Sequence, residues 1–144
     1  MKAKDLFSEE AHQQIVNAIE AAELNTSGEI RVHIENKCKI EVLDRAAYIF
    51  KYLEMHKTAL RNGVLFYLSV NDKKFAVIGD AGINKKVPAD FWNEVKDVVV
   101  RNFKQEKFTE GLIEGIQLAG LQLKEHFPYQ SNDKNELRNE VSFG

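Results

Sequence analysis

Four acidic residues stand where predicted strands or helices begin or end, and carboxylates in such places are candidate cation ligands. They are Glu29, Asp44, Asp72 and Asp80. Hard cations take their oxygen ligands from carboxylates, backbone carbonyls and water. Each acid also has an ordinary structural explanation. Glu29 is a charge at a strand end, Asp44 starts a helix, Asp72 lies in a turn, and Asp80 stands in a loop between glycines. Taken one at a time, the residue types favour the structural explanation.

Motifs for nucleophilic or nucleotide chemistry do not occur in the sequence. There is no G-x-S-x-G elbow, P-loop or H-E-x-x-H pair. The stretch IGDAGIN at 78–84 lacks G-x-G-x-x-G spacing, and it follows an antiparallel strand instead of a parallel βα turn. Cys38 is expected to be an exposed or half-packed thiol without an activating base. We therefore expect no efficient catalysis.

The four histidines lie on different predicted elements without metal-ligand spacing. His33 is the most interesting, because alternation places it on one strand face with Glu29, Arg31 and Glu35. A solvated or salt-bridged strand face explains this pattern better than a functional site does.

The elements that must position these residues follow the order α-β-α-β-β-α-α. EIRVHIE at 29–35 alternates as a strand with one polar face, and the apolar run at 64–70 predicts a strand buried on both faces. Residues 74–79 form a hairpin with that strand. AGINKKV at 81–87 is expected to be a loop. Helical patterns precede, separate and follow these strands.

This order predicts an α/β fold, a three-layer α/β/α sandwich with a small mixed sheet and Rossmann-like topology. The first two strands and the helix between them form a βαβ unit, which makes those strands parallel. The third strand returns antiparallel, so helices cover both sheet faces. We expect one domain over residues 1–128 and a polar C-terminal tail over 129–144, partly docked or disordered.

Composition excludes several classes of function. The chain has 144 residues, net charge −2 and one cysteine, so neither nucleic-acid binding nor an internal disulfide is expected. The N-terminus lacks the apolar segment of a signal peptide, and no run is long enough to span a membrane. We expect a soluble cytoplasmic monomer without membrane contact.

Four segments occur together in a familiar order and spacing: SGEIRVHIE at 27–35, DRAAYIFKYL at 44–53, NGVLFYLSVNDKKFAVIGDAGI at 62–83 and KFTEGLIEGIQLAG at 107–120. In this order the chain resembles the TPM domain family, named for thylakoid lumen phosphatase-type, photosystem II-associated and nematode receptor-modulator proteins. Its GDAGIN stretch and tail also resemble a short stand-alone bacterial branch. The matching residues are Ser27, Gly28, Glu29, Asp44, Ala46, Asn62, Gly63, Asp72, Lys74, Gly79, Gly82, Gly111, Leu112 and Gly115.

The resemblance implies an α/β sandwich that binds a divalent cation, with calcium the first expectation and magnesium the second. Strand order then divides the acids between two sheet edges. Asp80 and Glu29 are expected at the edge where the parallel strands begin, and Asp44 and Asp72 at the edge where they end. Two alternatives stay open. One is a weak metal-dependent acid phosphatase, as in some plant members. The other is a module for an unknown protein partner that uses the polar strand face or the tail.

Overall fold

Four strands form one mixed sheet in the computed structural model, which describes residues 7–129 and 141–143. The strands are β1 (Glu29–Glu35), β2 (Gly63–Ser69), β3 (Lys74–Gly79) and β4 (Ser142–Phe143). The sheet order is β3-β2-β1-β4. β1 and β2 are parallel, β3 is antiparallel to β2, and β4 is parallel to β1. The predicted βαβ unit and hairpin are therefore confirmed, and β4 is an additional strand.

Helices cover both faces of the sheet. They are α1 (Glu9–Glu23), α2 (Val42–Tyr52), the short α3 (Ala81–Asn84), α4 (Phe91–Lys104) and α5 (Phe108–His126), with a 3₁₀ turn at Met55–Lys57. The buried residues of α1, α4 and α5 share one core with one face of the sheet, and those of α2 share a second, smaller core with the other face. This arrangement confirms the predicted three-layer α/β/α sandwich.

The central strand β2 contributes to both cores, as its uninterrupted apolar sequence predicts. Val64, Phe66 and Leu68 enter the larger core, while Leu65 and Tyr67 enter the core beneath α2. All five side chains are fully buried. Full burial of such a side chain stabilises the fold by about 1.5–3 kcal/mol. This buried strand runs between the two edges of the sheet where the acidic residues lie.

Two segments differ from the sequence-based expectation or extend it. The loop expected at 81–87 begins with a helix, α3, because the Asp80 side chain caps its N-terminus by accepting a hydrogen bond from the Ala81 N–H. In the predicted tail, Val141 is buried and Ser142–Phe143 form β4. Residues 130–140 and 144 of that tail lie outside the described residues, so the domain boundary after residue 128 stays a prediction.

A hydrogen bond to the Glu23 carboxyl group connects the end of α1 to the start of β1. Glu23 Oε2 accepts a hydrogen bond of 2.9 Å from the Ile30 N–H. Burial raises the pKa of Glu23 to about 8, against the lowering effect of this hydrogen bond, and the nearby Glu29 and Glu20 raise it further. Glu23 is therefore largely protonated in the folded protein at neutral pH.

Replacing Glu23 with glutamine should stabilise the protein at pH 8 by on the order of 2 kcal/mol, with little effect near pH 4. Between about 4.5 and about 8, the unfolded chain loses the Glu23 proton while the folded chain keeps it. The wild type therefore loses stability as the pH rises through this window, whereas glutamine keeps the acceptor without the titration. Urea unfolding at several pH values measures the difference. Glu94→Gln, an exposed acid on α4, is the control, and an equal pH-dependent gain there would contradict the assignment to Glu23.

Candidate functional site

The amino edge of the sheet, where β1 and β2 begin and β3 ends, brings two of the predicted acids close in the backbone register. Glu29 pairs with Gly63 across β1 and β2. On the other side of β2, the Asp80 N–H donates to the Gly63 carbonyl at 2.9 Å. Glu29 and Asp80 therefore flank the first residue of β2, as strand order predicts. Both are buried, with 2% and 6% of their surface exposed.

The Asp80 carboxylate is held by an arginine that the sequence analysis did not identify. Arg61 Nε donates to Asp80 Oδ2 and Arg61 Nη2 to Asp80 Oδ1, both at 2.7 Å. The Ala81 N–H donates to Oδ1 as well. Hydrogen bonding to Asp80 and the charge of Asp80 raise the pKa of Arg61, so the guanidinium keeps its positive charge. Both oxygens of Asp80 are thus already engaged by protein donors.

The carboxyl edge, where β1 and β2 end, contains a second carboxylate–arginine pair. Glu35 accepts from Arg45 of α2 through Nε at 2.9 Å and Nη2 at 2.6 Å, and from the Tyr67 hydroxyl at 2.5 Å. Burial alone would raise the pKa of Glu35, but the hydrogen bonds from Arg45 and Tyr67 outweigh it and lower the pKa to about 2. Glu35 is a fixed anion over the whole physiological range.

His33 joins this network to the C-terminal strand. Its Nδ1 lies 2.7 Å from Ser142 Oγ of β4, and its Nε2 lies 3.5 Å from Glu35 Oε2. The ring stacks on Tyr67 at 6.2 Å between centroids. Burial lowers the pKa of His33, although the neighbouring Glu35 opposes the effect. The polar strand face is thus salt-bridged through Glu35 and Arg45, one of the two forms that its structural explanation allowed. The face is buried because α2 and β4 place Arg45 and Ser142 against it.

Asp72 lies at the same edge, in the exposed turn between β2 and β3. Its Oδ2 accepts hydrogen bonds from the Cys38 N–H and, at 3.1 Å, from the Ser69 hydroxyl. The Cys38 hydrogen bond is the main cause of a lowered Asp72 pKa, and Lys74 and Lys37 also contribute. Among the described residues, no hydrogen bond reaches Oδ1. Asp72 is therefore an oriented carboxylate with one oxygen turned towards solvent.

The remaining predicted residues have simpler surroundings. Asp44 is exposed in the first turn of α2, where its backbone N–H donates to the Glu41 side chain. Cys38 is buried, not exposed or half-packed, and its thiol donates to the Ile40 carbonyl at 3.2 Å. Within residues 7–129 and 141–143, no three histidine, cysteine or acidic side chains converge in a way that could hold a metal ion. The metal role of the four acids stays a prediction.

Arg45 and Arg61 are the residues that sequence reasoning missed. A signal for Arg61 exists: it stands two residues before Gly63, and the hairpin register brings Asp80 to Gly63. Arg45 follows Asp44 on a helix that must pack over the sheet. The sequence does not determine how this helix is rotated, so it does not determine where the Arg45 side chain points. Each arginine joins a helix or loop to a carboxylate at the end of a strand.

No helix in the described part of the chain combines the length and the apolar character that crossing a bilayer requires.

The fold and its two edges define a small α/β/α sandwich domain with an arginine–carboxylate pair at each end of the sheet. The chain belongs to the TPM domain family, which matches residues 1–121. This confirms the resemblance drawn from the ordered motifs. No curated protein is significantly similar to the chain.

Solved structures share the fold. The NMR structure of the BA42 protein from the psychrophilic bacterium Bizionia argentinensis is 46% identical, has a TM-score of 0.90, and matches over 96% of this chain and 95% of that chain. The N-terminal domain of a P. gingivalis protein is 17% identical, with a TM-score of 0.69 over 87% and 83% of the two chains. The N-terminal domain of the cg2496 protein from Corynebacterium glutamicum is 10% identical, with a TM-score of 0.66 over 81% and 74%. The two distant neighbours establish the fold alone.

Proposed function

We propose that this TPM domain binds a divalent cation, calcium before magnesium, at the carboxyl edge around Asp72, and that it has no efficient catalytic activity. One observation carries the proposal. Asp72 is exposed and ionised, and it is oriented through one oxygen while the other meets no protein donor in the described residues. A carboxylate that is already oriented loses less conformational entropy when it binds a cation. Exposed loop carbonyls, water and Asp44 would supply further oxygen ligands.

The other candidate acids are less available. Asp80 has both oxygens engaged by Arg61, and Glu29 is 98% buried. A cation at the amino edge would have to displace an arginine from Asp80. In the part of the chain that the structure describes, no arginine is paired with Asp72, although Lys74 and Lys37 lie close enough to lower its pKa. With few protein ligands and two nearby lysines, we expect a dissociation constant of about 1 mM, in the range of weak calcium modules.

The two alternative functions have less support. Hydrolysis by a metal-bound water needs the cation and the phosphate-binding groups at one place. Lys37 and Lys74 lie near Asp72, but of the two arginines described above, Arg45 is paired with Glu35, and Arg61 stands at the opposite end of β2, whose seven residues span roughly 20 Å. An interaction module that uses the polar strand face would need that face exposed, whereas His33 and Glu35 are buried.

Titrating calcium into metal-free protein should shift the amide resonances of Cys38, Asp72 and Lys73 in a saturable way. Asp72→Asn keeps an acceptor for Cys38 and Ser69 but removes the charge, so it should weaken binding about tenfold, or about 1.4 kcal/mol. Two-dimensional amide NMR at constant ionic strength measures both. Asp97→Asn, an exposed acid on α4, is the matched control and should bind like the wild type. The absence of saturable shifts up to roughly 10 mM calcium, or equal effects of the two variants, would refute this site.

A further inference from the structure

A cavity at the amino edge stands apart from the proposed cation site. It has a volume of about 330 Å³ and lies between the second half of α2, the 3₁₀ turn at Met55–Lys57 and the end of β3. Its apolar wall consists of Ala47, Phe50 and Ile78. This volume is at the small end of the range for ligand-binding pockets. The cavity therefore suits a small molecule with an apolar body.

The polar side of the cavity carries an excess of basic groups. Lys51, His56 and Arg61 line it, and Asp80 is the one acidic residue among the described residues of its lining. Asp80 is already neutralised by Arg61. A guanidinium has more N–H groups than the pair consumes, so Arg61, with half of its side chain exposed, keeps donors for a second anion. Lys51 adds an exposed positive charge close by.

The loop that carries Arg61 is held firmly in place. Arg61 has φ 51°, in the left-handed region that costs a non-glycine residue about 1–2 kcal/mol. Its carbonyl accepts hydrogen bonds from Gly82 at 2.8 Å and Ile83 at 3.3 Å. A Cβ on Gly82 would lie 2.6 Å from that same carbonyl oxygen. Two residues of the GDAGIN stretch thus position Arg61 beside the cavity: Gly82 holds its backbone and Asp80 holds its side chain.

We infer that this cavity binds a small organic anion, with a carboxylate or phosphate head at Arg61 and Lys51 and a flat apolar body against Phe50 and Ile78. An oriented guanidinium can donate parallel hydrogen bonds to two oxygens of a carboxylate or of a phosphate. The Asp80 pair keeps Arg61 from turning into solvent, which lowers the entropy lost on binding. The inference uses different residues from the cation site and does not depend on it.

Benzoate and phenyl phosphate serve as probes of the two head groups, inorganic phosphate as a probe of the head alone, and benzamide as the neutral isostere of benzoate. Amide NMR should show saturable shifts at Lys51, His56 and Ile78–Asp80 with at least one of the two aromatic anions. Benzamide and inorganic phosphate should bind at least tenfold more weakly than that anion. Benzamide binding as tightly as benzoate would overturn the anion assignment, and inorganic phosphate binding as tightly as phenyl phosphate would overturn the role of the apolar wall. No saturable shift with either aromatic anion would overturn the site.

Variants test the location. Ala47→Phe fills the cavity from an exposed helix position without touching the Arg61–Asp80 pair, so it should weaken anion binding at least tenfold in a protein that still folds. Lys51→Gln should weaken it about threefold. Arg101→Gln, which removes an exposed arginine from α4, should leave it unchanged. Undiminished binding by Ala47→Phe, with its fold checked by the amide spectrum, would show that the anion binds elsewhere.

Discussion

Replacing Gly82 with alanine should lower the free energy of unfolding by about 3 kcal/mol, at the upper end of the costs of overpacking. An ideal Cβ at this position lies 2.1 Å from the Leu60 carbonyl oxygen and 2.6 Å from the Arg61 carbonyl oxygen. Both obstacles are backbone atoms, so no side chain can rotate away to make room. The loop has to move, and the 2.8 Å hydrogen bond from Gly82 to Arg61 is lost with it.

The matched control for Gly82 is Gly28. Its added Cβ would lie 2.6 Å from Leu123 Cδ2, the far end of a side chain that can adjust. Gly28→Ala should therefore cost clearly less than Gly82→Ala. Urea unfolding at pH 7 compares the two variants, and the NMR signal of Arg61 Nε–H reports whether the ion pair with Asp80 survives. If both variants lose the same free energy of unfolding, the close approach of the backbone to Gly82 does not cause the predicted destabilisation.

The sheet was predictable because its signals are local. Alternation set the bounds of β1, and the unbroken apolar run identified β2 as central, within one residue at each end. The relative direction of neighbouring strands followed from the length of the segment that connects them. A helix between β1 and β2 makes these strands parallel, and a short polar turn makes β3 antiparallel to β2. These rules also placed Glu29 and Asp80 at one edge before any side-chain contact was known.

The contacts that distinguish the candidate sites were not predictable, because they join residues far apart in sequence. β4 has only two residues, and Ser142 meets His33 across 109 positions. Such a short strand has no period of its own. The orientation of Arg45 depends on how far α2 is rotated over the sheet, which its apolar stripe fixes only to within a turn. The contacts of Ser142 and Arg45 bury the face of β1 that the alternating sequence predicts to be polar.

Replacing Arg45 with methionine should destabilise the protein by about 2 kcal/mol at pH 7, because it leaves the buried Glu35 charge with Tyr67 as its remaining strong donor. Breaking one partner of a fully buried pair costs about 3–5 kcal/mol, and the partial exposure of Arg45 reduces that figure. Methionine keeps the apolar stem that packs on the sheet. Lys51→Met, an exposed change on the same helix, is the control and should have little effect.

The pH dependence of this loss separates charge from packing. In the wild type the pKa of Glu35 is lowered to about 2, so its stabilising contribution is complete above about 4.5 and disappears as the pH falls to about 2. In Arg45→Met the same carboxyl takes up a proton more readily, because burial then dominates. The stability gap between the two proteins should be largest at neutral pH and should shrink between about pH 5 and pH 2. Urea unfolding at several pH values measures this gap, and a gap that stays constant over the range would assign the loss of stability to packing. A second experiment adds Glu35→Gln to Arg45→Met. If the unpaired Glu35 charge causes the loss, this double variant should recover stability at pH 7.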